Sequence, residues 1–145
     1  MRKTLVIATF LAAGAVEAAP LCDDLGFAGL LAKCNRGDPI ELTLASGQPV
    51  AAGPVTLQSG AYYEMRITAD GSGELGLSGP DFFRAIWMNE IVINDIEVRP
   101  MAIDSLEFDD EGEALLSFIA IKPGSYRVGI PGTTGDAQGI TITIQ

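Results

Sequence analysis

Lys122-Pro123-Gly124-Ser125-Tyr126-Arg127-Val128, followed after a Pro131-Gly132 turn and a glycine-containing loop by Gly139-Ile140-Thr141-Ile142-Thr143-Ile144, is the stretch that sets the fold class. In the closing hexad isoleucine alternates with threonine, so an extended chain turns the isoleucines to one face and the threonines to the other. A helix would scatter them around its surface. Pro123-Gly124 ahead of Tyr126 is a turn signal, because proline presets one backbone angle and glycine admits conformations closed to other residues. The stretch therefore predicts a corner, a strand, a loop and a final half-buried strand.

The same period of two runs upstream. Ile40, Leu42 and Leu44 alternate with Glu41, Thr43 and Ala45, and Tyr63, Met65 and Ile67 alternate with Glu64, Arg66 and Thr68. Leu75 and Leu77 lie between Gly73 and Gly79, Ile91 and Ile93 share a run, and Ala114 to Ile121 is apolar except for Ser117. Asp70-Gly71, Gly79-Pro80 and Glu111-Gly112 punctuate these runs as turns. About seven or eight short strands at this spacing predict an all-β, antiparallel sandwich or barrel. Helical character is confined to Asp23–Lys33 and to one turn within Pro80–Trp87, with Asp81 near its start.

Composition removes several classes of function. The 145 residues are 48% hydrophobic, enough for one domain with a real core, and a net charge of −10 repels phosphate backbones and anionic lipid headgroups. Nucleic acid is therefore not an expected partner; a basic protein surface or a cation fits the overall charge better. There is no histidine. A Ser-His-Asp or Cys-His nucleophile, His-ligated zinc or haem, and a His₂Cys copper centre all need one.

Arg2 and Lys3, the apolar run Leu5–Val16 and the small residues Ala18 and Ala19 have the three-part build of a secretory signal, with cleavage expected near Ala19. The apolar run is too short to span a membrane, so the expected product is periplasmic or secreted, soluble and not inserted in a membrane. Losing residues 1–19 removes two cations and one anion, which makes the chain more acidic. In an oxidising compartment Cys22 and Cys34 are expected to pair, closing residues 20–39 into an N-terminal segment and contributing about 3 kcal/mol. Residues 40–145 would then form the β domain.

The corner and closing strand quoted first resemble the C-terminal half of a cupredoxin, the fold family of plastocyanin and azurin. There a Pro-Gly-x-Tyr corner introduces the strand that presents the copper cysteine, a loop carries further copper ligands, and a Gly-x-Ile-x-Val-like strand ends the domain. Tyr62-Tyr63, Asp81-Phe82-Phe83-Arg84 and Phe108-Asp109-Asp110-Glu111-Gly112 are similar to segments of exported bacterial cupredoxin-like proteins. The resemblance covers roughly Ile40 to Gln145 and implies a Greek-key β-sandwich. It also implies where copper would sit, and there the chain departs from the family. Gly129-Ile130-Pro131-Gly132-Thr133-Thr134-Gly135-Asp136-Ala137-Gln138 contains no cysteine, histidine or methionine, so a type-1 copper cofactor is not expected.

Candidate sites are few. Met88 and Met101 are thioethers that could hold Cu(I), and Asp109 and Asp110 belong to the densest run of hard oxygen ligands, with packing and a solvated turn as the competing roles. No Gly-x-Ser-x-Gly or phosphate-binding glycine loop is present, so no catalytic residue is assigned. The resemblance places Ser78–Asn89 and Gly129–Gly139 at the end where the family docks its partners, which makes Phe82, Phe83, Trp87 and Ile130 candidate partner-binding residues. Core packing is the competing role, favoured for Trp87 and one phenylalanine; strand alternation would expose the other unless the segment turns. The expected function is a monomeric, non-catalytic binding or accessory protein with a periplasmic protein partner. The alternative is a copper-handling protein that uses methionine and carboxylate ligands.

Overall fold

Alternation in sequence becomes alternation in burial. Ile40, Leu42 and Leu44 turn inward from β1 (Ile40–Leu44) while Glu41 and Thr43 face solvent. The computed structural model describes residues 20–145, so the signal-peptide expectation for residues 1–19 lies outside the described residues. Ten strands and one helical turn follow in order: β1, β2 (Val55–Leu57), β3 (Tyr62–Ala69), β4 (Leu75–Ser78), α1 (Pro80–Phe83), β5 (Ile86–Ile93), β6 (Ile96–Val98), β7 (Ser105–Phe108), β8 (Gly112–Ala120), β9 (Gly124–Gly129) and β10 (Gly139–Ile144). They make two five-stranded sheets, ordered β1-β3-β8-β5-β6 and β2-β10-β9-β4-β7.

The inner faces of the two sheets supply one core. Leu42, Met65, Ile67, Leu116 and Phe118 come from the first sheet, and Leu57, Leu77, Val128, Ile142 and Ile144 from the second. This is the two-layer solution for sheets that are apolar on one side.

Strand direction corrects one expectation. The sheets are mixed: β1 runs parallel to β3, and β2 runs parallel to β10, while the other pairings are antiparallel. The chain leaves the first sheet after β1 and returns to it at β3, so these neighbours meet without a hairpin and are free to lie parallel. Alternation within each strand carries no information about such a crossing.

The N-terminal segment is joined by Cys22–Cys34, with Cα atoms 5.9 Å apart, and folds as two 3-10 turns, Gly26–Leu31 and Lys33–Asn35. Asn35 fastens it. Its buried side chain donates through Nδ2 to the carbonyls of Leu30 (2.8 Å) and Gly60 (2.9 Å), and its Oδ1 accepts from the Leu21 N–H (2.8 Å). Every polar atom of that amide that burial would otherwise strand thus has a partner. Next to it the Arg36 guanidinium lies 4.6 Å from the centre of the Tyr62 ring, a cation–π contact that holds the segment against β3.

Candidate functional site

The corner before β9 is held by its tyrosine. Tyr126 donates its hydroxyl back to the carbonyl of Lys122 at 2.8 Å, which fixes the turn Lys122–Gly124 above the strand. Gly124 allows this approach, since a Cβ at that position would lie 2.7 Å from the Tyr126 hydroxyl. The corner therefore presents Lys122 at a defined place.

Across from it, α1 packs against β9. Phe82 is completely buried, with its ring centre 5.6 Å from that of Phe118, 5.5 Å from Phe83 and 6.3 Å from Tyr126. Gly79 brings α1 close, because a Cβ there would meet the Val128 side chain at 2.8 Å. Phe83 is buried as well. The expectation that Phe82 and Phe83 help form an exposed patch is thus corrected: successive residues of a helical turn lie about 100° apart, so both can enter the core where a strand would expose one.

Between α1 and the corner lies an open cleft of about 400 Å³ whose lining includes Arg84, Lys122 and Arg127, together with Asp81, Ser125 and Tyr126. Three of the chain's nine lysines and arginines thus converge on one cleft of a protein with net charge −10. Arg84 is shared with carboxylates, 3.8 Å from Asp81 and 3.3 Å from Asp104. Arg127 lines the cleft from β9, but its guanidinium turns to the β9–β10 loop, where it donates to the Gly135 carbonyl at 2.9 Å and lies close against Gly139. Lys122 makes no ion pair among the described residues. The Lys122 ammonium, the Arg84 guanidinium and the Ser125 hydroxyl can together bind a carboxylate or a similar oxyanion, beside the Asp81 carboxylate on the same lining. The three cations escape a sequence scan because they lie on separate segments that meet only when α1 packs on β9.

The other sequence candidates are dispersed. Trp87 is not a core residue; it stands on β5 opposite Ile119 and is 51% exposed. Ile130 is half-buried beyond the end of β9, beside Pro131 and close to Ser78 and Gly79, so the two loops expected to meet do meet. Met88 is buried on β5, Met101 is fully exposed after β6, and Asp109 and Asp110 occupy the β7–β8 turn. Asp110 caps that turn itself, accepting from the Glu111 N–H at 2.8 Å. Among the described residues no group of three or more cysteine, aspartate or glutamate side chains is placed to hold a metal ion.

With strands, corner and cleft described, comparison with solved structures gives the fold its name. Copper nitrite reductase from Nitrosomonas europaea is similar at 15% identity over 66% of this chain and 33% of its own, with a TM-score of 0.51. Multi-copper oxidase from Pseudomonas thermotolerans is similar at 10% identity over 74% of this chain and 29% of its own, with a TM-score of 0.53. The fold is cupredoxin-like. Auracyanin B also matches, at 10% identity over 88% of this chain and 96% of its own, with a TM-score of 0.47. The chain spans about a third of the length of the two copper enzymes. No protein-family model matches it, and no curated protein does.

A cupredoxin-like fold raises the question of copper, and the donor set answers it. A type-1 centre needs a thiolate and two imidazoles. Here the chain holds no histidine, and both cysteines are joined to each other. The loop from Ile130 to Gln138 offers hydroxyls, a carboxylate and an amide in place of soft ligands. The residues present do not fit the group.

Proposed function

We propose that this protein is an exported, non-catalytic binding module: a cupredoxin-like scaffold without a type-1 copper site, whose cleft receives an acidic segment of a protein partner. The observation that carries this reading is that Arg84, Lys122 and Arg127 line one cleft of a protein whose net charge is −10. The net charge of −10 argues against long polyanions, while three local cations favour a short run of carboxylates once it arrives. The overall acidity on its own points to a basic partner; the cleft reverses that sign locally. Copper handling through Met88, Met101, Asp109 and Asp110 gains no support from their placement on separate elements, with Met88 buried.

Titration calorimetry with short glutamate-rich and lysine-rich peptides tests the reading. The acidic peptide is expected to bind, and the triple substitution Arg84→Ala, Lys122→Ala, Arg127→Ala to abolish that binding. Equal binding of both peptides, or acidic-peptide binding that survives the triple variant, would overturn it. A copper titration followed by visible absorption is expected to show no type-1 charge-transfer band; stoichiometric, tightly held copper would defeat the metal-free assignment.

A further inference from the structure

The β5–β6 hairpin ends the first sheet at an edge with three exposed apolar side chains. Ile91 stands opposite Val98 and Ile93 opposite Ile96, and directly opposed residues share a face of the sheet. All four therefore project to the core side. Ile91 is buried, yet Ile93, Ile96 and Val98 are 37%, 64% and 44% exposed, so the second sheet does not extend over this end of the hairpin.

The backbone of the same edge is open. Asn94 and Asp95, with φ of 48° and 65°, form a two-residue left-handed turn of the type that joins tight hairpins, and Ile93 and Ile96 close it as a hydrogen-bonded pair. Antiparallel alternation then turns the N–H and C=O of Glu97, and of Arg99 two residues on, away from β5 and toward the free edge. On the outer face Arg99 lies 2.9 Å from Glu90 and 3.1 Å from Glu97. An anion and a cation thus flank Val98 on an unpaired strand.

We propose that this edge binds a second copy of the chain, β6 against β6 in antiparallel register about a two-fold axis at Val98, so that the two first sheets become one. In this register Glu97 faces Arg99 of the second copy, and Arg99 faces Glu97 of the second copy. The same two residues supply the outward N–H and C=O groups that form the ladder. Val98 meets its own counterpart, and Ile96 lies against Pro100, whose missing N–H falls on the side turned toward β5. Moving the axis to Glu97 would oppose two carboxylates, so the charges choose the register. The contact is self-complementary, as a two-fold interface must be, and rests on a strand of three residues, so the dimer is weak.

Sedimentation velocity of the mature chain from about 10 µM to about 1 mM, the range of weak association, is expected to show dimer growing with concentration. Monomer throughout would overturn the proposal. Glu97→Pro removes one edge N–H without touching the β5 ladder; it is expected to keep the wild-type circular dichroism and to abolish the dimer. A dimer that persists in this folded variant places the contact elsewhere and overturns the assignment. Glu97→Arg and Arg99→Glu supply a second test that does not depend on proline. Each alone sets like charges across the axis and loses self-association, whereas the equimolar mixture restores both ion pairs and is expected to recover a heterodimer. A mixture that remains monomeric overturns the register.

Discussion

The cleft at Arg84, Lys122 and Arg127 and the free edge at β6 are two surfaces of one sandwich, built on opposite physical terms. The cleft is charge held by a rigid frame: α1 is anchored in the core by Phe82, and the corner is tied by the Tyr126 hydroxyl. The edge is open backbone beside apolar side chains, with a single anion and cation to set the register. Exposed charge is screened by salt within about 8 Å at physiological ionic strength. Apolar contact and backbone pairing are not screened in that way. One surface should therefore weaken as salt rises while the other is largely retained.

The largest effect comes from breaking the frame of the cleft. Phe82→Ala empties a fully buried site and is expected to lower the unfolding free energy by about 3–5 kcal/mol in urea denaturation. Acidic-peptide binding should fall with it, while β6, which makes no use of Phe82, keeps its self-association. A loss of both would show that the surfaces are coupled. Next in size, reduction of Cys22–Cys34 is expected to cost about 3 kcal/mol, and Asn35→Ala about 2 kcal/mol through its orphaned partners. Both lower the melting temperature and leave both surfaces intact, as peptide titration and sedimentation of the folded variants will check.

A smaller effect sharpens the contrast in salt response. Arg127→Ala alone is expected to weaken acidic-peptide binding about fivefold, the scale of one exposed ion pair, and to flatten its dependence on added salt. The smallest effect is at Asp70, in the β3–β4 turn. Hydrogen bonds from Ser72 hold its carboxyl below the usual aspartate range, including the Ser72 N–H donated at 2.9 Å. A lowered value in the folded state stabilises above the unfolded value of about 3.9 and is lost as pH falls through the folded one. Asp70→Asn should thus be slightly less stable than wild type at pH 7, with the difference shrinking as pH falls below about 4 and vanishing only below the lowered folded value, as stability curves across that range will check. A gap that persists in acid would assign it to geometry instead of charge.

Long strands were legible because β1, β3 and β10 repeat their burial with the pleat in residue type alone, and because β8 is a continuous apolar run bounded by a turn signal. The corner was legible because Pro123, Gly124 and Tyr126 each have a local reason to be there. Val55–Leu57, Ile96–Val98 and Ser105–Phe108 were not read as strands, since three or four residues are too few to display a period. Phe82 and Phe83 misled because one helical turn rotates neighbours into the same core. Trp87 misled in the other direction. Core packing is the role favoured for it from the sequence, but its parity on β5 places it with Ile119 on the outer face. The cleft depends on Arg84 and Lys122 meeting across a tertiary contact, and no local pattern encodes that meeting.

The parallel pairing of β2 with β10 has a consequence for how the chain is made. Ile142 pairs with Val55 and Ile144 with Leu57, and β10 is also the neighbour of β9, so the last strand joins β2 to the rest of its sheet. Until Gly139–Ile144 has been synthesised, β2 has no partner and Leu57 has no finished core to enter. Contacts between segments so distant in sequence form slowly, because a long loop must close before they are rewarded. The strands of the first sheet all precede β9 and β10, so that sheet can pair before the second one is closed.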